Sequence, residues 1–178
     1  MRVKHTCPFG EVAEGEGTMI KSIIAATVGV LASSSAHGES YYGQALLAMD
    51  AISCSFAAQA LDNSHEAEEF LELGTFVLYH IYSNLGDWQA SAYSDMPGIF
   101  LDMSKDAKPP LSDKEISDMA YFTAQFVVNL DHHSDERERE KSVKAGMDAG
   151  QLFTLKRDLA RERWQKIGCE SIEDRYLR

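Results

Sequence analysis

The residues best suited to metal chemistry stand together at Asp131-His132-His133, with Asp135 and Glu136 close behind. Imidazole nitrogens and carboxylate oxygens are ligands that divalent transition metals accept. Adjacent residues rarely converge on one ion without a turn, and the apolar periodicity predicts that this stretch is a polar loop between two helices. We therefore expect solvated side chains here, and neither a metal site nor a cofactor.

Acid–base chemistry has candidates on one predicted helix. His80 lies in an apolar stretch and could act as a general base beside a cleft, although a hydrogen-bonded core histidine is the ordinary interpretation. Glu68 and Glu72 share a helix face and could form a carboxylate pair, but acids near the start of a helix are usually solvated. Neither group predicts a catalytic site by itself.

Aromatic residues form two groups that could line a ligand pocket. One is the Tyr41-Tyr42 pair, and the other combines Tyr79 and Tyr82 with Trp88. Aromatic side chains of this kind more often pack in the core, which is our expectation here.

Sequence motifs that identify common enzymes are missing. The chain contains no HExxH, GxSxG, CxxC or SxxK motif and no phosphate-binding glycine loop. The sequence therefore identifies no catalytic residue.

The charge is strongly negative and unevenly distributed. The net charge is −11; residues 39–136 carry 17 acidic and 3 basic side chains, whereas residues 137–178 carry 8 acidic and 11 basic ones. Nucleic acid is disfavoured as a partner because phosphate binding needs Lys and Arg, and an anionic membrane surface is disfavoured equally. The acidic part either packs beside the basic last helix or faces a basic protein partner.

Residues 19–38 have the composition of a secretory signal peptide. Lys21 supplies a positive charge, residues 23–32 are apolar or small, and Ala36 and Gly38 provide small residues before a cleavage that leaves Glu39 first. The apolar stretch is too short for a stable transmembrane helix. We therefore expect a periplasmic or secreted bacterial protein with no membrane span after cleavage; a buried amphipathic helix is the alternative.

Residues 1–18 do not resemble the start of a signal peptide because they are polar and acidic. The segment Glu14-Gly15-Glu16-Gly17 back-translates to a purine-rich run just before Met19, as a ribosome-binding site would. We expect translation to start at Met19; a disordered N-terminal tail is the alternative.

Cysteine usage agrees with export. Cys7 lies in residues 1–18, which leaves Cys54 and Cys169 as a pair. In an oxidising compartment such a pair predicts a disulfide, with two separate buried thiols as the alternative. Closing so long a loop would stabilise the fold by about 4 to 5 kcal/mol at most on the chain-entropy model.

Residues 39–178 are predicted to form a single all-α domain, a compact bundle of about four helices, because no segment alternates like a strand. The predicted helices cover residues 40–61, 65–85 and 112–130, and a last one begins within 135–141 and ends at 166. The second of them is apolar on nearly every side and is expected to be central.

Local signals mark where the predicted helices begin and end. Ser112 and Glu115 have the spacing of a capping box, and Gly86 and Gly168 are predicted stops. Two glycines in the last helix, Gly146 and Gly150, are expected to allow a close backbone approach. Residues 87–110 are expected to be an ordered, irregular connection with short helical pieces.

The acidic surface and the missing catalytic motifs together favour an exported, non-enzymatic protein that binds a macromolecular partner, as an inhibitor or immunity protein does. A small periplasmic enzyme or ligand-binding protein with a cleft near His80 is the alternative. The sequence leaves the oligomeric state open.

Overall fold

The computed structural model describes residues 40–176, which belong to one compact unit, Glu39–Arg178. The predicted signal peptide, residues 1–18 and Cys7 lie outside the described residues. Every regular element described is helical, so the predicted all-α class is confirmed. The helices are α1 Tyr41–Ala60, α2 Ser64–Ser83, α3 Leu85–Ser91, α4 Gly98–Ser104, α5 Asp113–Lys144, α6 Ala149–Ile167 and α7 Ile172–Tyr176.

The described part of the chain contains six helices of seven residues or more, so a bundle of about four is not confirmed. The two additional helices, α3 and α4, lie in the connection where short helical pieces were expected. The prediction that Gly86 ends a helix is wrong. α2 already ends at Ser83, and Gly86 lies inside α3. Pro97 precedes α4, and the Pro109-Pro110 pair follows it, where proline excludes helix.

The central helix is α1, and the prediction that α2 is central is wrong. Ten residues of α1 are buried against seven in α2, and α1 packs on α2, α5 and α6. Six of the ten are alanines, whose small side chains let three helices approach one axis. α2 approaches α1 closely at Gly74, where a Cβ would lie 2.6 Å from Ile52 Cγ1.

The largest buried side chains pack where α2, α3, α4 and α5 meet. Trp88 and Phe100 are fully buried, and Trp88 Nε1 donates to the Ile81 carbonyl over 3.0 Å. The Tyr82 hydroxyl lies 2.6 Å from Thr123 Oγ1, and burial raises the pKa of Tyr82 to about 12, although the bond to Thr123 lowers it. The expected core role of Tyr82 and Trp88 is therefore confirmed.

A second, smaller core surrounds a disulfide. Cys54 of α1 and Cys169, which follows α6, are bonded with their Cα atoms 5.7 Å apart, and both are buried with Phe70 and Ile172. The predicted pairing is confirmed. The bridge holds the end of the described chain against the central helix.

The structure corrects the third and fourth predicted helices. α5 continues through residues 131–134, so the predicted loop there, and a last helix beginning within 135–141, are wrong. The stretch has no Gly or Pro, and charged side chains pair at helical spacing, as Lys141 Nζ does with Glu138 Oε1 at 2.6 Å.

The chain turns instead between α5 and α6. Gly146 has a φ of 87°, a conformation that favours glycine, so it makes this turn and not the expected close approach inside a helix. Gly150 lies in the first turn of α6, which begins with a capping box between Asp148 and Gln151. The predicted end of this helix at Gly168 and the capping box of Ser112 and Glu115 are both confirmed.

Among the described helices, none combines the length and the hydropathy that crossing a membrane requires.

Candidate functional site

A cleft of about 640 Å³ opens where the end of α1 faces the second half of α5 and the first half of α6. Its lining combines apolar side chains with charged ones of both signs. The apolar residues are Phe56, Ala149, Leu152, Phe153, Leu155 and Leu159; the polar and charged ones are Gln59, His132, Asp135, Glu136, Arg139 and Lys156. Such a lining suits an apolar group that carries polar or charged neighbours.

The cleft exists because α5 and α6 form a helical hairpin that buries little of its own surface. No residue in the range 132–159 is buried, although most of it is helical. Leu152, Leu155 and Leu159 follow at helical spacing and are half-buried. Phe153 stands beside them and is 60 % exposed.

Arg163 closes the base of the hairpin and joins three helices. Its Nη2 atom donates to Asp135 Oδ1 over 2.6 Å, and its Nε atom lies 3.4 Å from Asp131 Oδ1, so α6 is tied to α5. The guanidinium also lies 5.1 Å from the ring centroid of Phe56 on α1, a cation–π distance. The three ionic side chains are between 13 and 19 % exposed, so solvent screens them less than surface pairs.

Asp131 is the titratable group most affected by this arrangement. Burial raises the pKa of its carboxyl, and the nearby charge of Asp135 acts in the same direction; Ser53 and Arg163 lower it by less. One oxygen, Oδ2, is buried and has no hydrogen-bond partner among residues 40–176. Two carboxylates that share one guanidinium therefore hold the helices together at a cost in desolvation.

The predicted histidine loop is a helical surface. His132, His133 and Glu136 are all exposed and place donor atoms within 4.8 Å of one another, a set that could hold a divalent cation. His132 Nδ1 and Glu136 Oε2 lie 3.9 Å apart. Among the described residues no buried group donates to or accepts from either imidazole, whereas metal-binding histidines usually have such an orienting partner. We keep the expectation that this set is solvated.

The other candidates from the sequence lie outside the cleft. His80 is exposed near the end of α2, so the interpretation as a core histidine is wrong, and it does not line the cleft. Glu68 and Glu72 are exposed on α2. Tyr42 and Tyr79 are also exposed, so the expectation that they pack in the core is wrong. The Tyr79 hydroxyl donates to Asp113 over 3.3 Å.

Sequence reasoning missed Phe56, Leu155 and Arg163 as neighbours in one site. A signal for the cleft was present: Gly146 and the Asp148–Gln151 capping box mark the true start of α6. That start places the leucines of α6 opposite the charged half of α5.

The chain matches no protein-family model, no curated protein and no solved structure. The features that bear on its function are therefore the cleft and the charges around it.

Proposed function

We propose that this chain is an exported, non-enzymatic binding protein that engages a basic macromolecular partner, in the manner of an inhibitor or immunity protein. The α5–α6 hairpin carries the proposal. It leaves Val143, Met147 and Phe153 at least 40 % exposed and borders a cleft lined by both apolar and charged side chains. Concentrated exposed apolar surface is typical of an interaction site.

The acidic surface, which is formed by Glu68, Glu69 and Glu72 of α2, supports a basic partner. Glu68, Glu69 and Glu72 are exposed on α2, and no Lys or Arg among the described residues pairs with them. In the part of the chain that the structure describes, their one ion-pair neighbour is His65, whose Nε2 atom lies 3.5 Å from Glu69 Oε1. Arg163, a basic residue of α6, pairs with acidic residues of α5 and not with this surface.

The acidic surface and the cleft lie at the same end of the α1–α2 pair. Phe56 and Gln59 border the cleft near the end of α1, and only three residues separate α1 from the start of α2. One partner could therefore place an apolar side chain in the cleft and basic side chains against α2. The alternative of a cleft near His80 is not favoured, because His80 does not line this cleft.

The test is affinity capture from periplasmic extract with residues 39–178 as bait, in three forms. The first is the wild type, and the second replaces Glu68, Glu69 and Glu72 with glutamine. The third, a matched control, replaces the exposed Asp95, Asp102 and Asp106 with asparagine. We expect one basic protein on the wild type and the control, and at least tenfold weaker binding to the glutamine variant.

Three results would contradict the proposal. Equal binding to both triple variants would show that the acidic surface does not contact the partner. Capture of an acidic partner would contradict the proposed charge complementarity. Recovery of the chain from the cytoplasm, with its N-terminus at or before Met19, would contradict export.

A further inference from the structure

A second exposed apolar surface lies on α5, on a different face from the cleft. Phe122, Phe126 and Leu130 are 56, 44 and 48 % exposed and follow at four-residue spacing, which places them in one stripe along the helix. We call these three residues the Phe126 ridge. The buried face of the same helix, which includes Ala120, Thr123 and Val127, lies about a quarter turn from the ridge.

The ridge lies in an uncharged stretch. Residues 119–130 contain no Asp, Glu, Lys or Arg, although a quarter of the chain is charged. Exposed helix faces in soluble proteins are normally polar or charged. An exposed stripe with two phenylalanines and a leucine therefore has the composition of a helix–helix contact.

The ridge is symmetric about its middle residue. Phe122 and Leu130 each lie four residues from Phe126, and beyond them Glu115 and Arg137 each lie eleven residues away. Eleven residues make close to three helical turns, so these two charges lie on the same stripe as the ridge. Both are exposed, and Glu115 uses its Oε2 atom for the α5 cap, which leaves Oε1 for another donor.

We propose that two copies of this chain pair through the Phe126 ridge, with their α5 helices antiparallel. Phe126 then faces Phe126 of the second copy, Phe122 faces Leu130, and Glu115 faces Arg137. The complementary charges close both ends of the apolar contact. A parallel pairing would instead place Glu115 against Glu115 and Arg137 against Arg137, which is repulsive.

The pairing is independent of the proposed partner binding. His132, Asp135 and Arg139 line the cleft from another side of α5, so the dimer leaves two clefts open. It also explains why residues 119–130 are uncharged although residues 39–136 carry a large excess of acidic side chains.

Cysteine cross-linking tests the register. Cys54 and Cys169 are bonded to each other, so a cysteine introduced on α5 is the one free thiol in residues 39–178. We expect Phe126→Cys to form a disulfide-linked dimer on mild oxidation. Phe122→Cys and Leu130→Cys should link efficiently when mixed and poorly when alone. Preferential linkage of Phe122→Cys to itself would contradict the antiparallel register.

Sedimentation equilibrium tests the dimer itself. The wild-type residues 39–178 should sediment as a dimer, and Phe126→Glu as a folded monomer with an unchanged helical circular dichroism spectrum. Tyr121→Glu is the matched control: it is adjacent and 57 % exposed but lies off the stripe, and it should stay dimeric. A monomeric wild type overturns the inference. Partner capture by Phe126→Glu should be unchanged, so failure of the dimer and failure of the proposed function are distinguishable.

Discussion

Two parts of this protein are both mostly helical but differ in what stabilises them. The body, residues 40–131, buries the aromatic core and most of α1, whereas residues 132–159 of the α5–α6 hairpin bury no residue. Tertiary packing supplies most helical stability in a body of this kind. The hairpin instead relies on local features: the Asp148–Gln151 capping box, the turn at Gly146, and charged pairs one turn apart.

This difference indicates which wall of the cleft can adjust to a bound partner. A segment with few buried apolar contacts opens at lower free energy than a packed core. The cleft has Phe56 of the packed body on one side and Leu152 and Leu155 of the hairpin on the other. One wall is therefore rigid and the other can adapt to a bound partner.

Two aromatic truncations, one in the body and one in the hairpin, test this difference most directly. Trp88→Ala should lower the free energy of unfolding by about 3–5 kcal/mol, because it leaves a large cavity in the body. Phe153→Ala should change it by about 0.5 kcal/mol or less, because the ring is already exposed. Urea unfolding measures both values. Similar losses for the two variants would show that the hairpin is packed as the body is.

The disulfide gives the next largest effect. Cys54→Ser should destabilise the protein by about 2–4 kcal/mol under non-reducing conditions, since the bridge closes a loop across a sequence separation of 115 residues. Thermal unfolding with and without reductant measures it. With reductant, wild type and variant should nearly coincide; a difference that survives reduction would assign the loss to side-chain packing.

The boundary between the two regions should respond to pH through Asp131. Its pKa is raised in the folded state, mainly by burial, so the folded protein binds this proton more tightly than the unfolded chain does. At a pH above the pKa of Asp131 in the folded state, its ionisation lowers the free energy of unfolding. This loss disappears as the pH falls towards the ordinary aspartate range.

We accordingly expect the stability of wild type relative to Asp131→Asn to increase as the pH is lowered from 7 to 4, measured by urea unfolding at each pH. The comparison cancels the other carboxylates, which both proteins share. A relative stability that is constant with pH, or that moves the other way, would show that Arg163 and not burial controls this carboxyl.

The smallest effect is expected on the exposed surface of the hairpin. Replacing His132 and His133 with alanine should leave stability within about 0.5 kcal/mol, because both rings are solvent-exposed. Isothermal titration with Zn²⁺ provides the direct check. Stoichiometric binding by the wild type that is lost in the double variant would establish a metal site at His132, His133 and Glu136.

Much of the body could be predicted from the sequence because its signals are short-range. The bounds of α1 and α2, the Ser112–Glu115 capping box and the end of α6 at Gly168 follow from apolar periodicity and cap residues within a few positions of each other. The disulfide could be predicted because Cys54 and Cys169 are the only cysteines in the sequence apart from Cys7.

The tertiary structure alone decided which helix is central, that α5 runs through residues 131–134, and where the cleft lies. The charged stretch has no apolar period, so its helicity depends on weak side-chain pairs that leave no clear pattern. The centrality of α1 depends on alanines that permit close approach, which periodicity does not rank. The cleft joins Phe56, Asp135 and Leu155 from three helices, and that proximity is set by the long-range packing around Arg163.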